Sequence, residues 1–313
     1  MTHRVAVTGA NGFIGRHLTA ALSARGDTPV AIARPFHAAA LVERFRGVDT
    51  VVHLAGLVSA LRAQDFFTAN VDGTRVVAEA AAAAGARMIH VSSLAAAGPA
   101  PPSAPRSEDD APAPVTPYGH SKLEGERVVL AVPGLRSAIL RPGAVYGPGT
   151  DALLPLFRAA SLRVLPLVGR AGAAYTFIHV GDVVRAMVAA IDIDVSGPVF
   201  VGHPRPVTTR QLLEAVRDAS GHAAAIVPVP LAITRVAAAC GDVAGLLTGR
   251  VAAINRWRYA ELAAAGFVCR VDRLRERLGV VAQVEIGEGI AEMGRWYRAE
   301  GRSGQRDARD AER

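Results

Sequence analysis

Short apolar runs alternate with stretches of helical periodicity over the first half of the chain. His3 to Thr8 is an apolar, β-rich run that stops at Gly9, and helical spacing of apolar residues follows from Phe13 to Arg25. Gly26-Asp27 breaks that helix. Pro29 to Arg34 reads as a second strand, Phe36 to Gly47 as a helix, and Asp49 to Leu54 as a third strand ended by Ala55-Gly56. A long helix is predicted from about Arg62 to Ala84, with Gly85 as its stop, and Arg87 to Ser92 as the next strand. Pro99 to Pro117 holds seven prolines and reads as an irregular loop. A helix follows from Tyr118 to Leu130 and a strand from Arg136 to Arg141. The pattern then loosens into short elements through about Trp296, and the polar end, 301–313, is expected to be disordered.

Strands alternating with helices predict right-handed βαβ units and a parallel sheet covered on both faces, an α/β fold of the doubly wound kind. Half of the 313 residues are hydrophobic and 20% are charged, which excludes an intrinsically disordered chain and gives a soft expectation of two lobes. The longest apolar stretch, Leu231 to Thr248, carries Arg235 and Asp242 and reads as a packed helix rather than a membrane span. The first residues lack the basic-then-apolar pattern of a signal peptide, so a cytoplasmic location is expected. Cys240 and Cys269, the two cysteines, give no disulfide framework and no metal-ligand spacing.

The net charge of +7 comes from 35 basic residues, of which one, Lys122, is lysine. The arginines are spread along the chain and aromatics make up 5%, so a nucleic-acid surface is not expected.

Thr8-Gly9-Ala10-Asn11-Gly12-Phe13-Ile14-Gly15 sets three glycines at the junction of the first strand and the first helix. Glycine there permits a tight turn, a close backbone approach to a pyrophosphate, and helix-on-strand packing. The helix N-terminus then offers free N–H groups to the phosphates. The turn residues Gly9, Asn11, Gly12, Phe13, Ile14 and Gly15 are therefore candidate dinucleotide ligands. Arg34 lies nineteen residues after Gly15, where a carboxylate would bind a ribose 2′-OH. Its charge suits a 2′-phosphate and favours NADP(H) over NAD(H), the alternative being that it stacks on adenine or faces solvent.

Tyr118-Gly119-His120-Ser121-Lys122 sets a phenol and an ammonium at i and i+4, on one helix face. A free tyrosine titrates near pKa ~10. A neighbouring ammonium is expected to lower that value toward the range useful for proton transfer. Ser92-Ser93 ends a strand, where parallel α/β sheets bind ligands, and the two hydroxyls should point to different sides. The alternative for the pair is helix capping. The proline loop lies between these two segments and is expected to form a lid beside them, the alternative being a solvated surface excursion.

With these segments in view, the chain resembles the extended short-chain dehydrogenases/reductases, the epimerase/dehydratase-like branch, with similarity to 3β-hydroxysteroid dehydrogenase and dihydroflavonol reductase relatives. The likeness rests on the glycine turn, Asp49 to Gly56, Asn70-Val71-Asp72-Gly73-Thr74, Ser92-Ser93, Tyr118 to Lys122, Arg141 to Gly149, and Phe177-Ile178-His179-Val180-Gly181-Asp182. It implies Tyr118 as general acid/base, Lys122 as its partner and ribose ligand, and Ser93 as the substrate-orienting hydroxyl. It implies that Leu54, Ala55 and Gly56 flank the cofactor, that Pro142 and Gly143 meet the nicotinamide, and that Ser92 contributes to the cofactor site. Asn70, His53, His179 and Asp182 are expected to be structural.

Only thirteen residues separate Pro35 from Asp49, so the further outer strand usual in the family is expected to be missing. Ala144 and Tyr175 stand where nucleotide-sugar enzymes of the branch carry Asn and Arg, although Arg158, Arg163 or Arg170 could compensate. Leu94-Ala95 replaces the Asp-Glu of its dehydratases. These departures favour a carbonyl/secondary-alcohol oxidoreductase over a 4-epimerase with tightly held NAD, and disfavour dehydration. A cofactor-sensing regulator is the third reading, and the retained Tyr/Lys pair counts against it.

The expected organisation is a dinucleotide-binding domain over 1–150, rejoined by 177–195. A smaller mixed α/β substrate lobe takes 151–176 and 196–300, its apolar 228–248 region suiting a lipid-like substrate. The expected partners are a small molecule and a second copy of the chain, paired through the Arg62–Ala84 and Tyr118–Leu130 helices. No metal is expected.

Overall fold

The computed structural model describes residues 2–170 and 172–302. The first half of the chain forms β1 (Arg4–Thr8), α1 (Phe13–Arg25), β2 (Thr28–Ile32), α2 (Ala38–Arg44), β3 (Thr50–His53), α3 (Ala63–Phe67), α4 (Gly73–Ala83), β4 (Arg87–Val91), α5 (Leu94–Ala97), α6 (Pro117–Ala131) and β5 (Ser137–Pro142). Beyond these come β6 (Ala144–Tyr146), α7 (Leu154–Ser161), β7 (Val164–Val168), β8 (Ala174–Tyr175), β9 (Phe177–His179), α8 (Val180–Asp192) and β10 (Gly197–Val201). The remainder is β11 (Val207–Thr208), α9 (Thr209–Ser220), β12 (Ala225–Val229), α10 (Leu231–Thr248), α11 (Arg256–Leu262), β13 (Gly266–Phe267), α12 (Asp272–Leu278) and α13 (Ile286–Ala299).

Six strands form one parallel sheet in the order β10-β5-β4-β3-β1-β2. Its side chains alternate between two cores, as a sheet covered on both faces requires. Val5, Val7, Val52, Ile89 and Leu140 point to the face covered by α1 and α8, where they meet Leu18, Leu22 and Met187. Ala6, Val51 and Met88 point to the other, where Leu41 of α2 and Val77 and Ala81 of α4 close the layer. The sheet is of the Rossmann type, and β2 is its edge: the outer strand usual in the family is absent, because the short segment after Pro35 forms α2 alone.

Two segments depart from expectation. β10, assigned by sequence to the smaller lobe, pairs parallel with β5 and extends the main sheet. The Arg62–Ala84 helix is interrupted by a π-helical turn at Thr68–Asp72. At its centre the buried Asn70 accepts from Leu57 N (2.8 Å) and donates to Leu57 O (3.0 Å) and Ser121 Oγ (2.9 Å), fastening the loop after β3 to α6. The widened turn gives this side chain its inward position.

The smaller lobe has its own core, in which Phe157 of α7, Leu213 and Val216 of α9 and Tyr297 of α13 meet beneath β7. The proline-rich segment is fastened along its length, unlike a free lid. Ala100 N donates to Gly266 O (2.9 Å), Arg106 N to Val268 O (2.9 Å) and Ala113 N to Ala97 O (2.9 Å), and the carboxylate of Glu108 accepts from Phe200 N (2.9 Å). Proline content removes helix and sheet donors but leaves these carbonyl and amide partners available. Most of the expected polar tail, from 303 onward, lies outside the described residues.

Candidate functional site

The glycine turn sits at the carboxyl end of β1. Gly9 adopts φ +72°, and a Cβ on it would stand 3.0 Å from Ala55 N, so a side chain would crowd the loop after β3. A Cβ on Gly15 would collide with the carbonyl of Gly9. Gly12 is the N-cap of α1, and no side chain caps the helix there. The first-turn N–H groups of a 13-residue helix with no acidic residue in its first turn are thus left to an anionic ligand, and the site fits the diphosphate of a dinucleotide.

A buried hydrogen-bond chain fixes the neighbouring loop. Thr8 Oγ1 lies 2.7 Å from His53 Nδ1, and His53 Nε2 lies 3.0 Å from Thr74 Oγ1, which itself donates to Asn70 O (2.8 Å). Thr74 must therefore accept from His53 Nε2–H, which makes Nδ1 the acceptor for the Thr8 hydroxyl. The Thr8 oxygen is then open to accept from Ala55 N (3.2 Å). Burial holds His53 down to about 3, so this tautomer carries no charge at neutral pH. Leu54, Ala55 and Gly56 are held beside the glycine turn by these bonds. Gly143 lies against the carbonyl of Thr176, and its N donates to Val201 O (2.9 Å), which sets Pro142-Gly143 between the main sheet and the smaller lobe.

Ser92 and Ser93 diverge as strand geometry requires. Ser93 caps α5, its Oγ accepting from Ala95 N (3.1 Å), which leaves its own O–H free to donate toward the neighbouring Tyr118. The Ser92 side chain points away from the cleft and donates to Glu126, so its expected part in the cofactor site is not made by its hydroxyl. Glu126 in turn takes a two-pronged pair from Arg141, Nε to Oε1 at 2.9 Å and Nη2 to Oε2 at 2.6 Å, with both side chains buried. Nothing in the local sequence pattern marks this pair, whose members come from α6 and β5.

Thr116 and Pro117 open α6, the threonine hydroxyl accepting from Gly119 N (3.2 Å). Tyr118 and Lys122 leave this helix on one side. Lys122 reaches deeper: its Nζ donates to Val91 O (2.7 Å) and lies beside Gly56. Burial brings Lys122 down to about 8, with Glu126 acting in the opposite direction. Tyr118 packs on Phe66, ring centroids 5.9 Å apart. Burial raises its phenol above the ordinary value, the nearby Ser93 hydroxyl opposes that rise, and the Glu261 charge adds to it. The expectation that the Lys122 ammonium brings the phenol down is therefore corrected. Desolvation dominates, and the phenol is a proton-bearing donor. Glu261, on α11, is a neighbour that sequence reasoning missed, because only the fold of the smaller lobe brings it to Tyr118.

Arg34 is exposed just beyond β2, with its guanidinium 5.9 Å from the centre of the Phe36 ring. It lines a cavity of about 760 Å3 together with Phe36, Leu57, Arg62, Asp65 and Asp72. The missing outer strand leaves this side of the sheet open. The two carboxylates enter from α3 and the π turn, so the cavity is not free of acidic groups as the Ala33-Arg34-Pro35 segment alone implied. Asp65 is paired with Arg62 at 3.0 Å.

The sequence profile of the NAD dependent epimerase/dehydratase family matches residues 5–201. Among similar proteins, a ceramide reductase of Caulobacter vibrioides is 31% identical over 319 residues, covering 95% of both chains. A dTDP-6-deoxy-L-talose 4-dehydrogenase (NAD(P)(+)) of Kitasatospora kifunensis is 34% identical over 266 residues, 72% of this chain and 82% of the relative. Among solved structures, MoeE5 in complex with UDP-glucuronic acid and NAD superposes with a TM-score of 0.76 at 26% identity, covering 95% of this chain and 99% of that one. The matched span contains every element that builds the cleft from the glycine turn to β10, and the chain belongs to the NAD dependent epimerase/dehydratase family of NAD(P)-dependent enzymes.

Proposed function

We propose that the protein is an NADP(H)-dependent oxidoreductase that interconverts a carbonyl and a secondary alcohol on an apolar small molecule. The observation that carries this reading is the desolvated Tyr118 phenol, on the helix that carries Lys122, beside the Ser93 hydroxyl that follows β4. Bound nicotinamide would supply or accept the hydride. In the reductive direction Ser93 O–H donates to the substrate oxygen and Tyr118 Oη gives it a proton. Lys122, fixed on Val91 O, sets an ammonium beside Gly56 where it can take a ribose hydroxyl and favour the phenolate left after proton transfer. The test is consumption of NADPH on a panel of ketones graded in chain length. Turnover of none of them would reject the reading.

Support for a reductase comes from Leu94-Ala95 and Ala144, which offer neither a carboxylate to deprotonate a sugar carbon nor an amide for a sugar nucleotide. The near full-length likeness to a ceramide reductase points the same way. The second reading, a nucleotide-sugar 4-epimerase with tightly held NAD, draws on the likeness to MoeE5 with UDP-glucuronic acid and NAD. Co-purified oxidised NAD, with thermal stabilisation by uridine-diphosphate sugars and not by NADP, would favour it. The first reading includes a cytoplasmic homodimer paired through the 62–84 helical segment and α6.

NADP(H) preference rests on Arg34 in the cavity at the adenosine end. Arg34→Glu is expected to lower kcat/KM for NADPH by about 10- to 100-fold relative to NADH, the loss of one charge-assisted phosphate contact. Equal effects on both cofactors in a steady-state comparison would assign Arg34 no part in the choice.

A pH dependence follows from Lys122. Its folded value, about 8, lies below the free value of 10.5, so the ammonium is present below pH 8 and is lost as the pH rises through that value. Reduction measured as kcat/KM is expected to fall tenfold per pH unit above about pH 8. Lys122→Arg should remove that limb at the cost of a lower plateau. A profile flat to pH 9.5 or so would count against the ammonium's role.

A further inference from the structure

Helix α10 was expected to be packed, and it is not: 17% of its 18 residues are buried. Its inward side is made of small residues, Thr234, Ala238, Gly241 and Gly245, at i, i+4, i+7 and i+11. There the helix backbone closes on the loop that follows β3, a Cβ on Gly245 standing 3.2 Å from Leu61. Its large aliphatic side chains face the other way. Ile233, Val236, Val243 and Leu247 form one outward stripe, joined at its edge by Leu246, and Leu246 and Leu247 are 76% and 82% exposed. An ordinary surface helix has this pattern reversed. Over about 27 Å of helix the protein presents aliphatic surface that none of the other described residues covers.

Charge decides what covers it. Among residues 225–260 there are four arginines, Arg235, Arg250, Arg256 and Arg258, and one acid, Asp242. Arg235 and Arg250 are exposed near the two ends of the stripe, and the Arg256 guanidinium lies 5.2 Å from the ring of Trp257. Cations at both ends of an apolar stripe match the boundary between acyl chains and anionic headgroups. A second copy docking the same face would set Arg235 and Arg250 against their own mates. Both ends of α10 return to the lobe, through β12 and α11, so the helix lies along the body.

We propose that α10 seats the protein on an anionic lipid bilayer, its aliphatic stripe in the interface and its flanking arginines on the headgroups. The inner side of the helix bounds a cavity with Ala60, Leu61 and Trp257. Trp257 meets Phe66 edge to face (5.4 Å), and Phe66 meets Tyr118 at a tilt (5.9 Å). The helix thus borders, by its inner side, the rings that lead to the candidate reaction centre, and an apolar ketone would enter past it from the bilayer. That last step rests on the reductase reading; the docking itself does not.

The test is co-sedimentation of the full-length chain with vesicles of phosphatidylcholine alone, or mixed with phosphatidylglycerol at about three to one. Wild-type protein should bind the mixed vesicles, more weakly as salt rises, and bind the neutral ones little. Leu246→Asp/Leu247→Asp should lower binding by about tenfold or more, and Arg235→Glu/Arg250→Glu should lower it on the mixed vesicles only. NADPH binding should be unchanged in both variants and serves as the check on folding. Failure of wild type to bind, or binding equal in wild type and both variants, overturns the proposal. So does a wild-type dimer in solution that the Leu246→Asp/Leu247→Asp change turns into monomer, which would mean that a second copy covers the face. Vesicle binding without any ketone turnover would leave the docking standing and reject the reductase reading; turnover of ketones without vesicle binding would do the reverse.

Discussion

Tyr118→Phe is expected to lower kcat for ketone reduction by about a hundred- to ten-thousandfold, the usual share of a positioned proton donor. The substitution removes one oxygen from a ring whose packing against Phe66 is otherwise retained, so the helix and its neighbours should keep their places. Cofactor affinity should therefore change little, and the loss should appear in kcat and kcat/KM alike. The direction of the pKa shift sharpens the expectation. Burial keeps the Tyr118 phenol protonated, with Glu261 acting the same way, so in the resting protein it is an acid waiting for a base. A substrate oxygen that gains negative charge during reduction is such a base, and the Ser93 hydroxyl is near enough to the phenol to hold that oxygen. Ser93→Ala should cost less, because the proton donor remains. Single-turnover rates for the two variants, measured with NADPH already bound, would check the order. A Tyr118→Phe enzyme with wild-type kcat would remove the proton-transfer role altogether.

The second large effect concerns the fold beneath the site. Arg141→Met is expected to destabilise the protein by about 3–5 kcal/mol, since it strands a buried carboxylate. Of the three hydrogen bonds that Glu126 accepts, only that from Ser92 would remain. The reverse change, Glu126→Gln, leaves a buried guanidinium over the Phe200 ring and should cost a comparable amount. Because the desolvation of two ions nearly offsets their attraction, replacing both by apolar residues of similar size should recover much of the loss. Urea unfolding of the two single variants and the double would read the coupling as a shift of midpoint at constant slope. Strict additivity would show that the two side chains do not act as a pair. The pair also joins α6, which carries Tyr118 and Lys122, to β5, which ends at Pro142. Its loss should therefore loosen the site as well as the sheet.

The amino-acid sequence by itself determined whatever depends on neighbours along the chain. Three glycines between a strand and a helix can be read because a turn and a helix N-terminus are local objects. Tyr118 and Lys122 share a side because four residues are close to one helical turn, and Ser92 and Ser93 diverge because a strand has period two. Thirteen residues cannot hold both a helix and a further strand, so the missing edge strand was also legible. The tertiary structure alone decided how deeply each group is buried and what distant group meets it. Desolvation of Tyr118, the arrival of Glu261 from α11, and the carboxylates of Asp65 and Asp72 beside Arg34 all come from elements far apart in sequence. The same holds for the hydroxyl of Ser92, which looked like part of the cleft until Glu126 and Arg141 were seen to claim it. Helix α10 marks the limit most sharply. Its composition and its bounds were readable, but an apolar helix is buried only if another element covers it. Its small residues turn inward and its large ones outward, an arrangement that only the packing of the whole lobe could fix.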